Sequence, residues 1–313
     1  MVSLRARLGR LFVWKVFNMN PDGGKSFAEV TEMVSDFRET VPKGFVRTVE
    51  TSKSGIKFER IKKEGEDNGK LVLYFHGGGY TAGLSKAYRD QACDYCKAAG
   101  GAQVFLPDYD LAPQALYPTQ HNQAYAFWKD VLDMGYKPKD IIVGGDSAGA
   151  NLTLSIMLRL RDEGAELPKA LYLISPWADM TASGKSYETN YHMDPMFGKK
   201  HVELNEELRE RLLQSDMYSW CGDADRKDPL VSPVFGDYKG FPPVLMTVGG
   251  DEILLDDTLT IEKKLKAEGI DVRVISHKRM FHIYPLYYTI FPESKKAYKQ
   301  IQAYVKEMIN PQQ

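Results

Sequence analysis

Eight short runs of β-branched, aromatic and aliphatic residues punctuate the chain: Phe45 to Thr51, Ile56 to Ile61, Leu71 to Phe75, Gln103 to Leu106, Ile141 to Val143, Ala170 to Ile174, Val244 to Val248 and Val272 to Ile275. Between the later runs lie helical patterns, such as Ala124, Phe127, Trp128 and Val131, or Leu254, Thr258, Ile261 and Leu265 closing on Gly269, and Ala297, Ile301, Tyr304, Val305 and Met308 predict a last amphipathic helix. Strands alternating with helices imply parallel pairing with helices on both faces, and an all-apolar run such as Leu71 to Phe75 suits burial from both sides. The expected class is therefore α/β. At 313 residues, without an internal repeat or a Pro/Ser-rich linker, one large domain is favoured.

Ala150, Leu152, Leu154 and Ile156 alternate as a strand would, but Asn151, Ser155, Arg159 and Asp162 recur at intervals of four, four and three. That is one polar stripe on a helix otherwise buried all round. From about Ser183 to Asp228 the strand-helix rhythm lapses, which predicts an insertion above the sheet with a short helix through Leu204, Leu208 and Leu212.

The 41 basic and 42 acidic side chains leave a net charge of -1, without the basic excess of a nucleic-acid binder. No run of about 18 apolar residues suggests a span, so no stable membrane insertion is expected. Three cysteines, Cys93, Cys96 and Cys221, make no disulfide framework and fit a reducing, cytoplasmic setting. The Cys93/Cys96 pair lies in a helical stretch, not at the start of a helix after a thioredoxin-like strand, so redox chemistry is not expected. Arg5, Arg7 and Arg10 precede the apolar stretch Leu11 to Phe17, but Lys15 interrupts it and no small-residue cleavage site follows, so the segment is read as part of the mature chain. Leu4, Leu8, Leu11, Phe12 and Met19 share one helical face among basic residues. A helix packed on its own protein is the expected reading, a membrane-surface helix the alternative.

The chemistry concentrates in Gly145-Asp146-Ser147-Ala148-Gly149, directly between the run Ile141 to Val143 and the buried helix. G-x-S-x-G at a strand-to-helix turn lifts a serine hydroxyl clear of the backbone, and the flanking glycines leave room for neighbouring elements. His76-Gly77-Gly78-Gly79-Tyr80 follows the run Leu71 to Phe75. Glycines there can turn N–H groups toward an oxyanion, and no phosphate-loop context competes. The expected donors are Gly78, Gly79 and Ala148. A serine nucleophile needs a base and an acid following it in the order acid, then histidine. His76 and His121 precede Ser147, His192 and His201 fall in the insertion, and His277 ends a strand, which leaves His282. Asp251, after Val244 to Val248, is the expected acid, with Asp256 and Asp257 assigned to capping the next helix. Tyr80, Trp177, Met196, Phe197, Phe281 and Tyr284 are candidate pocket residues.

Together His76-Gly77-Gly78-Gly79, Asp108-Tyr109-Asp110-Leu111-Ala112-Pro113 and Gly145-Asp146-Ser147-Ala148-Gly149, continuing through Ser175-Pro176-Trp177 and Asp251 to His282, resemble the hormone-sensitive-lipase-like esterases of the α/β-hydrolase superfamily. The resemblance implies an eight-stranded, mostly parallel sheet, a helical cap built from about residues 1–45 and 183–228, and no metal or organic cofactor. It further implies a serine carboxylesterase preferring short acyl esters, acetyl to about hexanoyl, and a homodimer through the last sheet strand. Two departures stand out: Gln114 where a glutamate is usual, and His282-Ile283 where His-Gly is usual. The alternatives are a non-catalytic small-molecule receptor on the same fold and an acylpeptide or amide hydrolase.

Overall fold

A computed structural model describes residues 2–310 other than 21, 22, 27, 28, 31, 32, 34, 35 and 37, so part of the expected N-terminal cap segment lies outside the described residues. All eight runs form strands: β1 (Phe45–Thr51), β2 (Lys57–Lys63), β3 (Leu71–Phe75), β4 (Gln103–Pro107), β5 (Ile141–Asp146), β6 (Ala170–Ile174), β7 (Val244–Gly249) and β8 (Val272–His277). They make one sheet in the order β1-β2-β4-β3-β5-β6-β7-β8. Only β2 runs against its neighbours, pairing antiparallel with β1 and β4, and every pair from β4 to β8 is parallel.

β5 extends three residues beyond the apolar run, because Gly144 and Gly145 keep register with Tyr172 and Leu173 although they carry no side chain of their own to mark a strand. β3, β4, β5, β6 and β7 are buried at every position, as strands covered on both faces must be.

The cover divides cleanly. Helices α3 (Thr119–Asp133), α4 (Ala148–Asp162) and α7 (Leu255–Ala267) send Phe127, Leu152 and Ile261 into the core with Leu71, Leu73 and Phe75. Helices α2 (Lys86–Ala98) and α8 (Pro292–Ile309) place Cys96, Tyr298 and Val305 against Val72 and Tyr74 on the opposite face. The doubtful segment is helix α4, and its polar stripe is explained: the Asn151 amide donates to Val231 O at 3.0 Å and Ser155 Oγ to Leu230 O at 2.7 Å, so the stripe holds the chain that leads into β7.

Residues 183–228 contain α5 (Lys185–Thr189), α6 (Glu206–Gln214) and a 3₁₀ turn (Asp216–Cys221), with Leu204, Leu208 and Leu212 buried. Helix α1 (Leu4–Val16) forms where the basic apolar segment predicts one, but the side it buries is the unexpected one. Ala6 and Val13 are buried, and a side chain at Gly9 would collide with the Phe291 ring, whereas Leu4, Leu8, Leu11 and Phe12 are 56–70% exposed. The packed side is the one with small residues, because only there can the helix backbone approach Phe291 closely.

α2 is anchored by charge. The Arg89 guanidinium on α2 donates to both oxygens of Glu59 on β2, at 2.7–3.1 Å, with both residues about 5% exposed. Arg89→Met leaves Glu59 with Arg47 alone and is expected to lower the unfolding free energy by about 3 kcal/mol in urea titrations. Adding Glu59→Met should recover most of that loss.

Candidate active site

Ser147 sits at the end of β5 with φ 53° and ψ -116°, a left-handed conformation rare for a residue with a Cβ. Its N–H donates to Ile174 O at 2.9 Å, and the turn closes into α4 through Asn151 N–H to Ser147 O at 3.0 Å. Close approach dictates both flanking glycines: a Cβ at Gly145 would collide with Gly149 O, and one at Gly149 with Phe75 O. Ser147 Oγ lies 2.9 Å from His282 Nε2, and His282 Nδ1 lies 3.0 Å from a carboxylate oxygen.

That carboxylate belongs to Glu252, not to Asp251. Glu252 is fully buried; its Oε1 accepts from Ser175 Oγ at 2.7 Å and also from the Gly249 N–H, and its Oε2 faces the imidazole. Asp251 turns the other way, onto the Arg10 guanidinium and the Arg279 N–H. Adjacent residues in the turn after β7 diverge, and the inward one carries the longer arm that reaches His282. Nothing in the run Gly249-Gly250-Asp251-Glu252 marks which acid points inward. Arg10, the counter-charge that draws Asp251 outward, lies 241 residues away.

Asp256 and Asp257 do more than open their helix. Asp257 Oδ2 accepts from the N–H groups of Ala178 and Asp179 at 2.7 and 2.9 Å, and Asp256 Oδ2 from the Ser186 N–H at 2.8 Å, so both fasten the segment after β6 to α7. Asp194 in the insertion accepts from Ile253 N–H at 2.9 Å and from Met196 N–H at 2.8 Å, joining the acid loop to the pocket wall. Burial pushes the Asp194 carboxyl up to about 6.

The glycine loop lies across from the serine. Gly78 and Gly79 have φ of 109° and 60°, conformations that suit residues without a Cβ. Among the described residues the N–H groups of Gly78, Gly79 and Ala148 have no protein acceptor, and Gly78 forms part of the cavity wall. His76 is structural: its ring stacks on Tyr109 at 4.3 Å, its Nδ1–H donates to Gly77 O at 2.8 Å, and burial pushes its pKa down to about 4. Tyr109 in turn donates to His76 O at 2.6 Å, which gives the Asp108-Tyr109 motif its role. His121 is held down to about 3 by burial, His192 and His201 are exposed, and His277 pairs with Tyr284 at 2.8 Å, so His282 is the histidine beside the serine.

Ile283, in place of the usual glycine, takes φ 49° and ψ 27°. A β-branched residue is disfavoured there. Its N–H donates to Ser175 Oγ at 3.0 Å, so one serine ties the histidine loop to the acid.

A cavity of about 360 Å³ opens onto Ser147 and His282, walled by Phe17, Met19, Val30, Tyr88, Met196, Phe197, Ile283, Leu286 and Tyr287 among others. Of the six expected pocket residues only Met196 and Phe197 line it. Tyr80 lies in the core, its hydroxyl donating to Asn151 Oδ1 at 2.6 Å, and Trp177 packs edge-on to Tyr218. Phe281 packs on Tyr287 and Phe291, and Tyr284 on His277. Aromatic residues near motifs are read equally well as core, and here much of the apolar wall, such as Phe17, Met19 and Leu286, comes from segments without a motif. Cys93 and Cys96 are buried in α2 with thiols pushed up to about 12, which leaves no reactive thiolate.

Asp146 is the residue that sequence reasoning missed. Fully buried behind Ser147, it accepts from Tyr74 Oη at 2.9 Å, from Gly77 N–H at 2.9 Å and from Tyr88 Oη at 3.1 Å, and so binds the serine turn to the glycine loop. Its position inside the pentapeptide was the available signal. Burial raises its pKa from 3.8 to about 6 against those three hydrogen bonds. The folded chain therefore holds a proton that the unfolded chain releases across that window. This contribution to stability is fully present below 3.8 and is lost as pH rises through about 6. Asp146→Asn keeps an acceptor for Tyr74 and Gly77 and abolishes the titration. Relative to the parent, its unfolding free energy is expected to improve by up to about 3 kcal/mol between pH 4 and pH 7 in urea titrations.

A family model described as alpha/beta hydrolase fold matches residues 72–286. An esterase of Acinetobacter venetianus is 33% identical over 249 residues, 79% of this chain and 78% of that protein. An acetyl-hydrolase of Streptomyces hygroscopicus is 32% identical over 239 residues, 76% of each. The crystal structure of an esterase from the bacterial hormone-sensitive lipase family superposes with a TM-score of 0.82 at 28% identity, covering 99% of this chain and 100% of that one.

Proposed function

The chain belongs to the α/β-hydrolase family and, within it, to the hormone-sensitive-lipase-like esterases; on that premise we propose that it is a serine carboxylesterase acting on short-chain esters through an acyl-enzyme on Ser147. The observation that carries this reading is the continuous chain from Ser147 Oγ through the His282 ring to Glu252, at 2.9 and 3.0 Å.

A serine hydroxyl is a weak nucleophile at neutral pH, so His282 Nε2 takes its proton as Oγ attacks the ester carbonyl. Glu252 fixes the tautomer in which Nδ1 carries the hydrogen and stabilises the imidazolium that forms. Negative charge gathers on the former carbonyl oxygen, where the free N–H groups of Gly78, Gly79 and Ala148 and the N-terminus of α4 receive it. His282 then returns the proton to the leaving alcohol, and water repeats the sequence on the acyl-enzyme. The apolar walls at Met196, Phe197 and Leu286 and the cavity volume of about 360 Å³ suit a short acyl chain, acetyl to about hexanoyl. The intact relay from Ser147 through His282 to Glu252 favours turnover over the receptor alternative.

Two measurements test the reading. Hydrolysis of p-nitrophenyl esters from acetate to palmitate should peak at short chains and vanish in Ser147→Ala. A maximum at palmitate would overturn the chain-length assignment, and full activity in the variant would overturn the nucleophile. Separately, Glu252→Gln is expected to lower kcat about 10⁴-fold, as loss of the orienting carboxylate does in other triads. Asp251→Asn should stay within about tenfold of the parent. The reverse ranking would return the acid to Asp251.

A further inference from the structure

Helix α1 turns its apolar side to solvent. Leu4, Leu8, Leu11 and Phe12 are 70, 59, 56 and 57% exposed, and they are four of the eleven exposed large apolar residues among those described. Exposed apolar side chains ordinarily scatter singly over a soluble protein, whereas these four share one face of a single helix. The other exposed positions of the helix are Arg5, Arg7 and Lys15, and α1 contains no acidic residue. Its fourth base, Arg10, is turned inward onto Asp251 and Met193 O. Past the C-terminal end of the helix the basic rim continues: Lys199 and Lys200 border the hollow formed by Leu11, Trp14, Lys15 and Asn18, with the Lys200 ammonium 5.2 Å from the Trp14 ring centre. Phe12 meets Phe17 edge-on at 5.7 Å, and Phe17 is a wall of the catalytic cavity, so the stripe runs on into the cavity mouth.

We propose that α1 docks the protein peripherally on an anionic lipid surface, with Leu4, Leu8, Leu11 and Phe12 in the boundary between headgroups and acyl chains and Arg5, Arg7 and Lys15 on the lipid phosphates. The charge of the face selects this occupant. The whole chain carries -1, yet the exposed part of α1 is purely apolar and cationic. A second copy seated on the same patch would face it across a two-fold axis, bringing identical cations together with no acid on either helix to answer them. Lipid phosphates neutralise the same residues, and the apolar stripe supplies the second attraction that durable peripheral binding needs. Docked in this way the cavity mouth lies beside the membrane, and, resting on the esterase reading, the ester substrates it meets first are those dissolved in the bilayer.

Vesicle sedimentation tests the docking without reference to catalysis. The full chain is mixed with sucrose-loaded vesicles of phosphatidylglycerol and phosphatidylcholine, or of phosphatidylcholine alone, at about 0.1 M and about 1 M salt. Binding is expected on the anionic vesicles only, and to be lost at high salt. Arg5→Gln, Arg7→Gln and Lys15→Gln should each weaken the partition about fivefold. The pair Leu8→Gln and Leu11→Gln should weaken it at least about tenfold, with an unchanged circular dichroism spectrum. Absence of sedimentation, or binding indifferent to the leucine variants, would overturn the proposal. So would a dimer in analytical ultracentrifugation that the leucine pair dissolves while no vesicle binding is seen, which would assign the stripe to a second copy.

Discussion

The approach of the first turn of α4 to the ends of β3 and β5 is the constraint on which the rest of the molecule depends. Gly149 lies so close to the Phe75 carbonyl, and Gly145 so close to Gly149 O, that neither position has room for a Cβ. Because the helix starts this near the sheet, Ser147 must turn through a positive φ, and its hydroxyl leaves the turn on the side of His282. The same closeness brings the loop His76 to Gly79, which continues from β3, alongside the serine. Candidate nucleophile and candidate oxyanion donors are thus brought side by side by one backbone contact.

Buried carboxylates then fix what the sheet alone leaves loose. Asp146 joins the serine turn to the glycine loop, Asp194 joins the insertion to the acid loop, and Asp257 joins the segment after β6 to α7. Each accepts backbone N–H donors, so each holds a stretch of main chain where a side-chain contact would hold only a side chain. Burial raises all three pKa values, which is the energetic cost of placing an acid where water cannot reach it. The cost concentrates around the site, and so does the need for fixed geometry.

Most of the scaffold was legible in the chain, because strands buried on both faces must be continuously apolar and helices on them must show one polar stripe. Ser147 and His282 were legible too, since the strand, pentapeptide and helix occur in immediate succession and the order of the histidines leaves little choice. The acid was not. Asp251 and Glu252 are chemically equivalent on paper, and what separates them is Arg10, a residue brought to Asp251 only by the fold. The pocket fared worse for a related reason. An aromatic residue such as Tyr80 or Trp177 is drawn to the core by its area, while the cavity walls at Phe17, Met19 and Leu286 come from segments whose sequence carries no chemistry.

Arg10 also gives the N-terminal helix a meaning beyond packing. Of the four bases in α1 it alone points inward, where it binds Asp251, Met193 O and Arg279 O. Asp251 is the neighbour of Glu252, Met193 precedes Asp194, and Arg279 lies three residues before His282, so a single guanidinium touches the acid loop, the insertion and the histidine loop together. The outward side of the same helix holds the apolar stripe and three bases. One helix thus joins that outer side to the segments that flank Glu252 and His282, with no strand of the sheet between them. The helix is short and buries only Ala6 and Val13 fully, and polar contacts fasten it at two places, Ser3 to Glu293 at its start and Arg10 further along. A charged, directional anchor on the neighbour of Glu252 fixes the helix relative to that loop in a way that apolar packing, which is non-directional, does not.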